Sequence, residues 1–184
     1  VISGDGALLW PTDAGRYLTS SFGEYRPGHL HAGIDIKTWG RQGYRVFAAD
    51  AGSVVRIRVS PYGYGKAVYL KMDNGMTAVY AHLAGFCPRL EPFVREEQDR
   101  TGAYSVDMVF PDGAIRARKG DLLAFTGSTG TAAPHLHFEL RDSLNKPVNP
   151  MISAYSVLDT QAPVITGVAL TPLDETSSVA GMTA

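Results

Sequence analysis

Short strand-like runs, and not a helical repeat, dominate the pattern of apolar residues along this 184-residue chain. Turns rich in Gly, Pro and Asp separate the runs, and no long period of about 3.6 residues is found. The Asn74-Gly75 pair between two such runs predicts a β-hairpin. The chain is therefore predicted to be mainly β, with an antiparallel sheet folded on itself. The predicted strands are residues 45–49, 52–59, 66–71, 76–80, 122–126 and 135–140.

The last of these strands carries two of the five histidines, His135 and His137. In an extended strand residues i and i+2 point to the same face, so both imidazoles can reach one small object. A metal ion, commonly zinc, is the object that most often binds neutral imidazole in proteins. Two histidines that merely share a solvated strand face would produce the same triplet, and the triplet alone does not decide between these interpretations.

Two other segments carry groups of the same chemical type. His31 and Asp35 are four residues apart, and Gly33 with its β-branched neighbours favours a loop that runs into a strand. In that strand Asp35 is expected to point away from the buried face, with His31 folding back from the loop. His82 follows the predicted strand 76–80, at the point where a loop begins. Taken alone, each segment is better explained by a histidine in a turn or at a strand end.

In their order along the chain, the three segments resemble the lysostaphin and LytM-type zinc endopeptidases of bacterial cell walls. The resemblance covers residues 10–155 and implies a β-sandwich-like core of antiparallel strands. It rests on His31-Ala-Gly-Ile-Asp35, on Tyr80-Ala-His82-Leu, and on Gly127-Ser-Thr-Gly130 leading to Pro134-His135-Leu-His137-Phe-Glu139.

The resemblance implies that His31, Asp35 and His137 bind one zinc ion. Three protein ligands suit a catalytic site, whereas a structural zinc site is closed by four. His82 and His135 would then face a metal-activated water, with His135 as the general base. His82 would orient the water or stabilise the oxyanion, although the sequence does not determine which of His82 and His135 is the general base.

The implied activity is hydrolysis of the peptide cross-links of peptidoglycan, so the expected partners are peptidoglycan stem peptides and the expected location is the periplasm, the cell envelope or the extracellular space. The alternative is a catalytically silent relative that binds the cell wall or activates another hydrolase. All five family positions are filled, which favours activity. A D-Ala-D-Ala-type carboxypeptidase is a minor alternative, because it shares the His, Asp and His ligands but requires a Glu-x-x-His element that is missing here.

Composition excludes two further classes of function. With 17 basic and 18 acidic residues and no basic stripe, the chain is not expected to bind nucleic acid. No apolar run approaches the ~18 residues that span a bilayer. The single cysteine, Cys87, excludes the Cys-x-x-Cys element of the zinc deaminases and is expected to be a partly buried free thiol.

Residues 86–118 form an insertion relative to compact members of the family. Within it, residues 88–100 predict a short amphipathic helix and residues 104–110 a strand. The insertion is interpreted as surface decoration, with a wall of the substrate groove or a lid as alternatives. The loop 60–65, with its two tyrosines, either lines the groove or only connects strands.

The domain organisation follows from these assignments. Residues 1–158 are assigned to the metallopeptidase domain. A linker-like change in composition near residue 159 then precedes a strand-like run over residues 164–170. Residues 159–184 are therefore expected to be a tail, or the first strand of a further β domain that continues beyond this sequence.

Overall fold

A computed structural model of the chain describes residues 8–153, 155, 178–179 and 182–183. The two helices are α1 (Glu91–Thr101) and α2 (Pro150–Ser153). The strands are β1 (Leu18–Ser20), β2 (Tyr25–Arg26), β3 (His29–Leu30), β4 (Ile34–Lys37), β5 (Arg45–Phe47), β6 (Gly52–Val59), β7 (Ala67–Met72), β8 (Thr77–Ala81), β9 (Leu83–Phe86), β10 (Val106–Val109), β11 (Arg116–Ala117), β12 (Leu122–Thr126), β13 (His135–Arg141), β14 (Pro147–Val148), β15 (Ser178–Val179) and β16 (Met182–Thr183). The mainly β prediction is confirmed.

Nine strands form one large sheet with the path β1-β4-β13-β8-β7-β6-β10, in which β11 also pairs with β6 and β14 with β13. A smaller sheet has the order β5-β12-β9. All strand pairs among the described residues are antiparallel, as predicted. Buried apolar side chains from both sheets belong to one hydrophobic cluster, so the two sheets share a single core.

Alternation along β13 separates the core from the opposite face of the large sheet. Leu136 and Phe138 are fully buried in the core cluster. Because neighbouring residues of a strand point to opposite faces, His135 and His137 lie on the other face. In the pairing of β13 with β4, His137 lies directly opposite Asp35. Two segments that are far apart in sequence thus bring metal-ligating groups to one place.

The chain passes from the large sheet to the small sheet at His82. This residue stands between β8 and β9, with φ of 59°, in the left-handed region that is uncommon for residues with a Cβ. Its backbone N–H donates to the carbonyl oxygen of Tyr64 at 2.9 Å. The corner between the sheets therefore positions His82 beside β13.

The insertion contains the helix and the strand that were predicted. Helix α1 buries Val94 against the core, and β10 pairs with β6 at the edge of the large sheet. Cys87 is a free thiol as expected, but it is buried more fully than predicted because its side chain joins the core cluster. No helix in the described parts of the chain is long and apolar enough to cross a membrane.

The C-terminal region is described only in part. Within residues 159–184, β15 pairs with β16 in a two-stranded hairpin. The strand predicted over residues 164–170 and the predicted boundary at residue 158 lie outside the described residues. The assignment of this region to a tail or to a further domain stays a prediction.

Gly33 lies at a close approach between β4 and β13. A Cβ at this position would lie 2.4 Å from the backbone carbonyl oxygen of Phe138. We expect Gly33→Ala to lower the free energy of unfolding by about 1–3 kcal/mol, because the backbones of the two strands must separate. Gly85→Ala is the matched control, since a Cβ there has no atom within 4 Å. Urea unfolding of both variants tests this, and equal losses of stability would contradict it.

Candidate metal centre

Three buried side chains converge on the face of the large sheet opposite the core. Nε2 of His31 lies 3.1 Å from Oδ1 of Asp35 and 3.0 Å from Nδ1 of His137, and that Nδ1 lies 2.9 Å from the same Oδ1. The three atoms form a nearly equilateral triangle. Zinc ligands in a tetrahedron, about 2.0–2.1 Å from the ion, lie roughly 3.3 Å apart. The triangle therefore has the dimensions that one small cation requires.

The other ring nitrogens determine which atoms carry lone pairs. Nδ1 of His31 is 2.8 Å from the carbonyl oxygen of Ser21, and Nε2 of His137 is 2.9 Å from Oε1 of Glu139. Carbonyl and carboxylate oxygens only accept, so these nitrogens carry the protons of the neutral rings. The atoms that face one another across the triangle are then three acceptors, Nε2 of His31, Nδ1 of His137 and Oδ1 of Asp35. They repel unless a cation lies among them.

The pKa values of His137 and Asp35 also favour a positive charge within the triangle. Burial lowers the pKa of His137, but hydrogen bonds to Asp35 and Glu139 raise it above its usual value. Burial raises the pKa of Asp35, but hydrogen bonds from His137 and His31 hold it well below its usual range. A proton or a metal ion satisfies the triangle, and the donor set of two imidazoles and one carboxylate suits zinc.

Glu139 supports the triangle, a role that the sequence did not predict. Its side chain is fully buried and its second oxygen accepts from Nε of Arg141 at 2.7 Å. The hydroxyl of Tyr64 donates to the same oxygen that His137 contacts. Burial raises the pKa of Glu139, but these hydrogen bonds lower it, so the carboxylate stays ionised. A signal was present in the sequence, because Glu139 lies two residues after His137 and shares its strand face.

His82 and His135 lie beside the triangle with ring centroids 4.7 Å apart. Nδ1 of His82 donates to the carbonyl oxygen of Thr129 at 2.9 Å, and Nδ1 of His135 donates to that of Ala133 at 2.9 Å. Nε2 of each ring is therefore left as an acceptor, and Nε2 of His135 is 3.5 Å from Oδ1 of Asp35. Burial lowers the pKa of His82 to about 4, so this ring is neutral at pH 7.

All five predicted site residues line one cavity of about 810 Å³. Loop 60–65 contributes several of its walls, so this loop lines the groove and does more than connect strands. No residue of the insertion 86–118 lines this cavity, and β10 extends the far edge of the large sheet. The other lining residues are Arg26, Pro27, His29, Arg58, Ser60, Tyr62, Gly63, Tyr64 and Thr131.

Comparison with known proteins gives a consistent assignment. The model of peptidase family M23 matches residues 29–99, a range that holds His31, Asp35 and His82. A zinc containing peptidase from Vibrio cholerae superposes with a TM-score of 0.56 at 27% identity, over 77% of this chain and 38% of that one. Over the matched residues, the chain resembles peptidase family M23.

Two curated relatives of this chain carry different names. It is 33% identical over 123 residues to the DD-carboxypeptidase/endopeptidase Mpg of Neisseria meningitidis, over 66% of the chain and 22% of the relative. It is 32% identical over 145 residues to the murein hydrolase activator NlpD of Salmonella typhimurium, over 79% of the chain and 30% of the relative. The chain thus spans less than a third of the length of either relative.

Removing the charge of Glu139 is expected to weaken metal binding at the triangle. In Glu139→Gln the acceptor that orients His137 loses its charge, and we expect zinc affinity to fall about 10–100-fold. Competition with a chromophoric chelator measures this. Asp107→Asn is the control, because Asp107 pairs with Arg56 and does not line the cavity. Unchanged zinc affinity in a folded Glu139→Gln protein would contradict the supporting role.

Proposed function

We propose that the chain is a zinc-dependent endopeptidase that hydrolyses peptide cross-links of bacterial peptidoglycan. The observation that carries the proposal is the convergence of three metal-ligating atoms on one cavity that also holds two further imidazoles. Three protein ligands of this type are the donor set of catalytic zinc sites. The match to the M23 family model and the likeness to a zinc containing peptidase support the choice of metal.

In the proposed reaction the metal and the imidazoles of His82 and His135 have different roles. A zinc ion held by His31, Asp35 and His137 would act as a Lewis acid that lowers the pKa of water and polarises the scissile carbonyl. Nε2 of His135 takes a proton from the attacking water as its oxygen bonds to the carbonyl carbon. That proton then passes to the leaving nitrogen as the C–N bond breaks. His82 orients the water or stabilises the developing oxyanion.

Two alternatives have specific support in the names of relatives. The NlpD relatives are named murein hydrolase activators, which favours a chain that binds the cell wall or activates another hydrolase without cutting. Against this, all five family positions are filled and face one cavity. The Mpg relative is named both carboxypeptidase and endopeptidase, so terminal hydrolysis remains a second candidate despite the missing Glu-x-x-His element.

The proposed location is the cell envelope. Peptidoglycan as substrate requires export, to the periplasm or to the outside of the cell. A relative from Pseudomonas aeruginosa, 31% identical over 149 residues, is named as a lipoprotein. We also propose that residues 1–158 form the peptidase domain, because the described core and all five site residues lie within that range.

Digestion of purified peptidoglycan, together with metal analysis, tests the proposed function. Zinc-loaded wild type is expected to release new amino termini, counted chemically and assigned by mass spectrometry. We expect His137→Ala to lose the metal. His135→Ala should retain zinc but turn over at least about 100-fold more slowly, because it lacks the general base. His29→Ala is the matched control, since this exposed histidine lines the cavity but is outside the five positions.

The same experiment separates the alternatives. Wild type that binds zinc but releases no amino termini would rule out the peptidase. If such a protein accelerates an added amidase, the activator function is supported instead. Release of free terminal D-Ala without loss of cross-links would indicate a carboxypeptidase.

A further inference from the structure

Arg58 is a half-buried guanidinium on the wall of the site cavity. Among the described residues, no hydrogen bond or ion pair involves this side chain. A guanidinium has five N–H donors, and it loses water as it is buried. An arginine on the cavity wall whose N–H donors have no acceptor therefore favours a ligand that carries acceptor atoms.

Neighbouring arginines on the same face of the sheet already have carboxylate partners. Arg56 binds both oxygens of Asp107, at 2.7 and 2.5 Å. Arg141 donates to Glu139 at 2.7 Å. In the pairing of β10 with β6, Asp107 lies opposite Arg58, yet its carboxylate binds Arg56. Asp107 is thus paired with Arg56, and the N–H donors of Arg58 remain available to a ligand in the cavity.

The other charged groups of the cavity leave a surplus of positive charge. Arg26 donates to Oδ2 of Asp35 at 3.4 Å and to Glu24 at 3.3 Å. Asp35 is the single acidic residue among those that line the cavity, and it belongs to the metal triangle. Bound zinc would add two further positive charges. Charge complementarity therefore favours a substrate with negative charge near Arg58.

We propose that Arg58 is a specificity-determining residue that binds a free carboxylate of the substrate peptide. This inference rests on the proposed function. A guanidinium binds a carboxylate through two parallel N–H donors, which fixes the direction of the bound peptide as well as adding affinity. The carboxylate belongs either to an acidic side chain or to the C-terminus of a peptide stem. A peptide held at both Arg58 and the metal triangle has its scissile bond selected by its distance from that carboxylate.

Chemical amidation of the substrate, combined with substitution of Arg58, tests this proposal. The probes are a cross-linked peptide dimer and two derivatives, one with amidated side-chain carboxyls and one with amidated C-termini. For wild type, kcat/KM should be at least about tenfold higher for the free acid than for one derivative, which identifies the carboxylate. In Arg58→Gln that ratio should fall toward one. Arg116→Gln is the matched control and should retain the wild-type ratio, because Arg116 pairs with Asp73 and does not line the cavity.

Binding measurements distinguish failure of this inference from failure of the proposed function. Calorimetry with the same peptides uses zinc-loaded His135→Ala, with and without Arg58→Gln. Binding that depends on both Arg58 and the carboxylate, without cleavage by wild type, supports the role of Arg58 and rejects the peptidase. Cleavage of all three peptides at one rate supports the peptidase and overturns the role of Arg58. An unchanged acid-to-amide ratio in folded Arg58→Gln also overturns it.

Discussion

The cross-strand pair of Asp35 and His137 is the contact on which the rest of the site depends. The two residues are directly opposite in the register of β4 and β13, and their ligating atoms are 2.9 Å apart. A slip of one residue in either strand would turn its ligand into the core and an apolar residue into the cavity. The core residues on the reverse face, such as Phe138, oppose such a slip. Core packing and metal-site geometry are therefore two consequences of one register.

A hydrogen bond from one nitrogen of each imidazole fixes which nitrogen faces the site. Backbone carbonyls hold His31, His82 and His135 through Nδ1, while the Glu139 carboxylate holds His137 through Nε2. Fixed ring orientations leave each remaining nitrogen as an acceptor that faces the site. Backbone groups cannot be removed by a side-chain substitution, so Glu139 is the one partner of this set that a point mutation can test.

Sequence alone predicted the five longest strands and all five residues that meet at the cavity, because alternation and turn signals are local and the motifs occur in a recognisable order. Glu139 and Arg58 were missed for different reasons. The pairing of Glu139 with His137 follows from strand parity, but its burial under Tyr64 depends on a loop 75 residues away. Arg58 was missed because the pairing of Asp107 cannot be read from the sequence. Asp107 lies opposite Arg58 but forms its ion pair with Arg56, and this depends on how the insertion pairs with β6. The same pairing decided that the insertion lies outside the cavity.

The physical cost of this arrangement argues for a site that binds a cation. Three acceptor atoms about 3 Å apart repel one another in the neutral, metal-free protein, and His82 occupies a left-handed backbone conformation. The triangle of acceptors contributes nothing to the apolar core, and a groove that only held peptide would not need it. A bound metal ion removes the repulsion and adds its binding free energy to the stability of the fold. The strain at His82 places a neutral imidazole next to that ion, where proton transfer would take place.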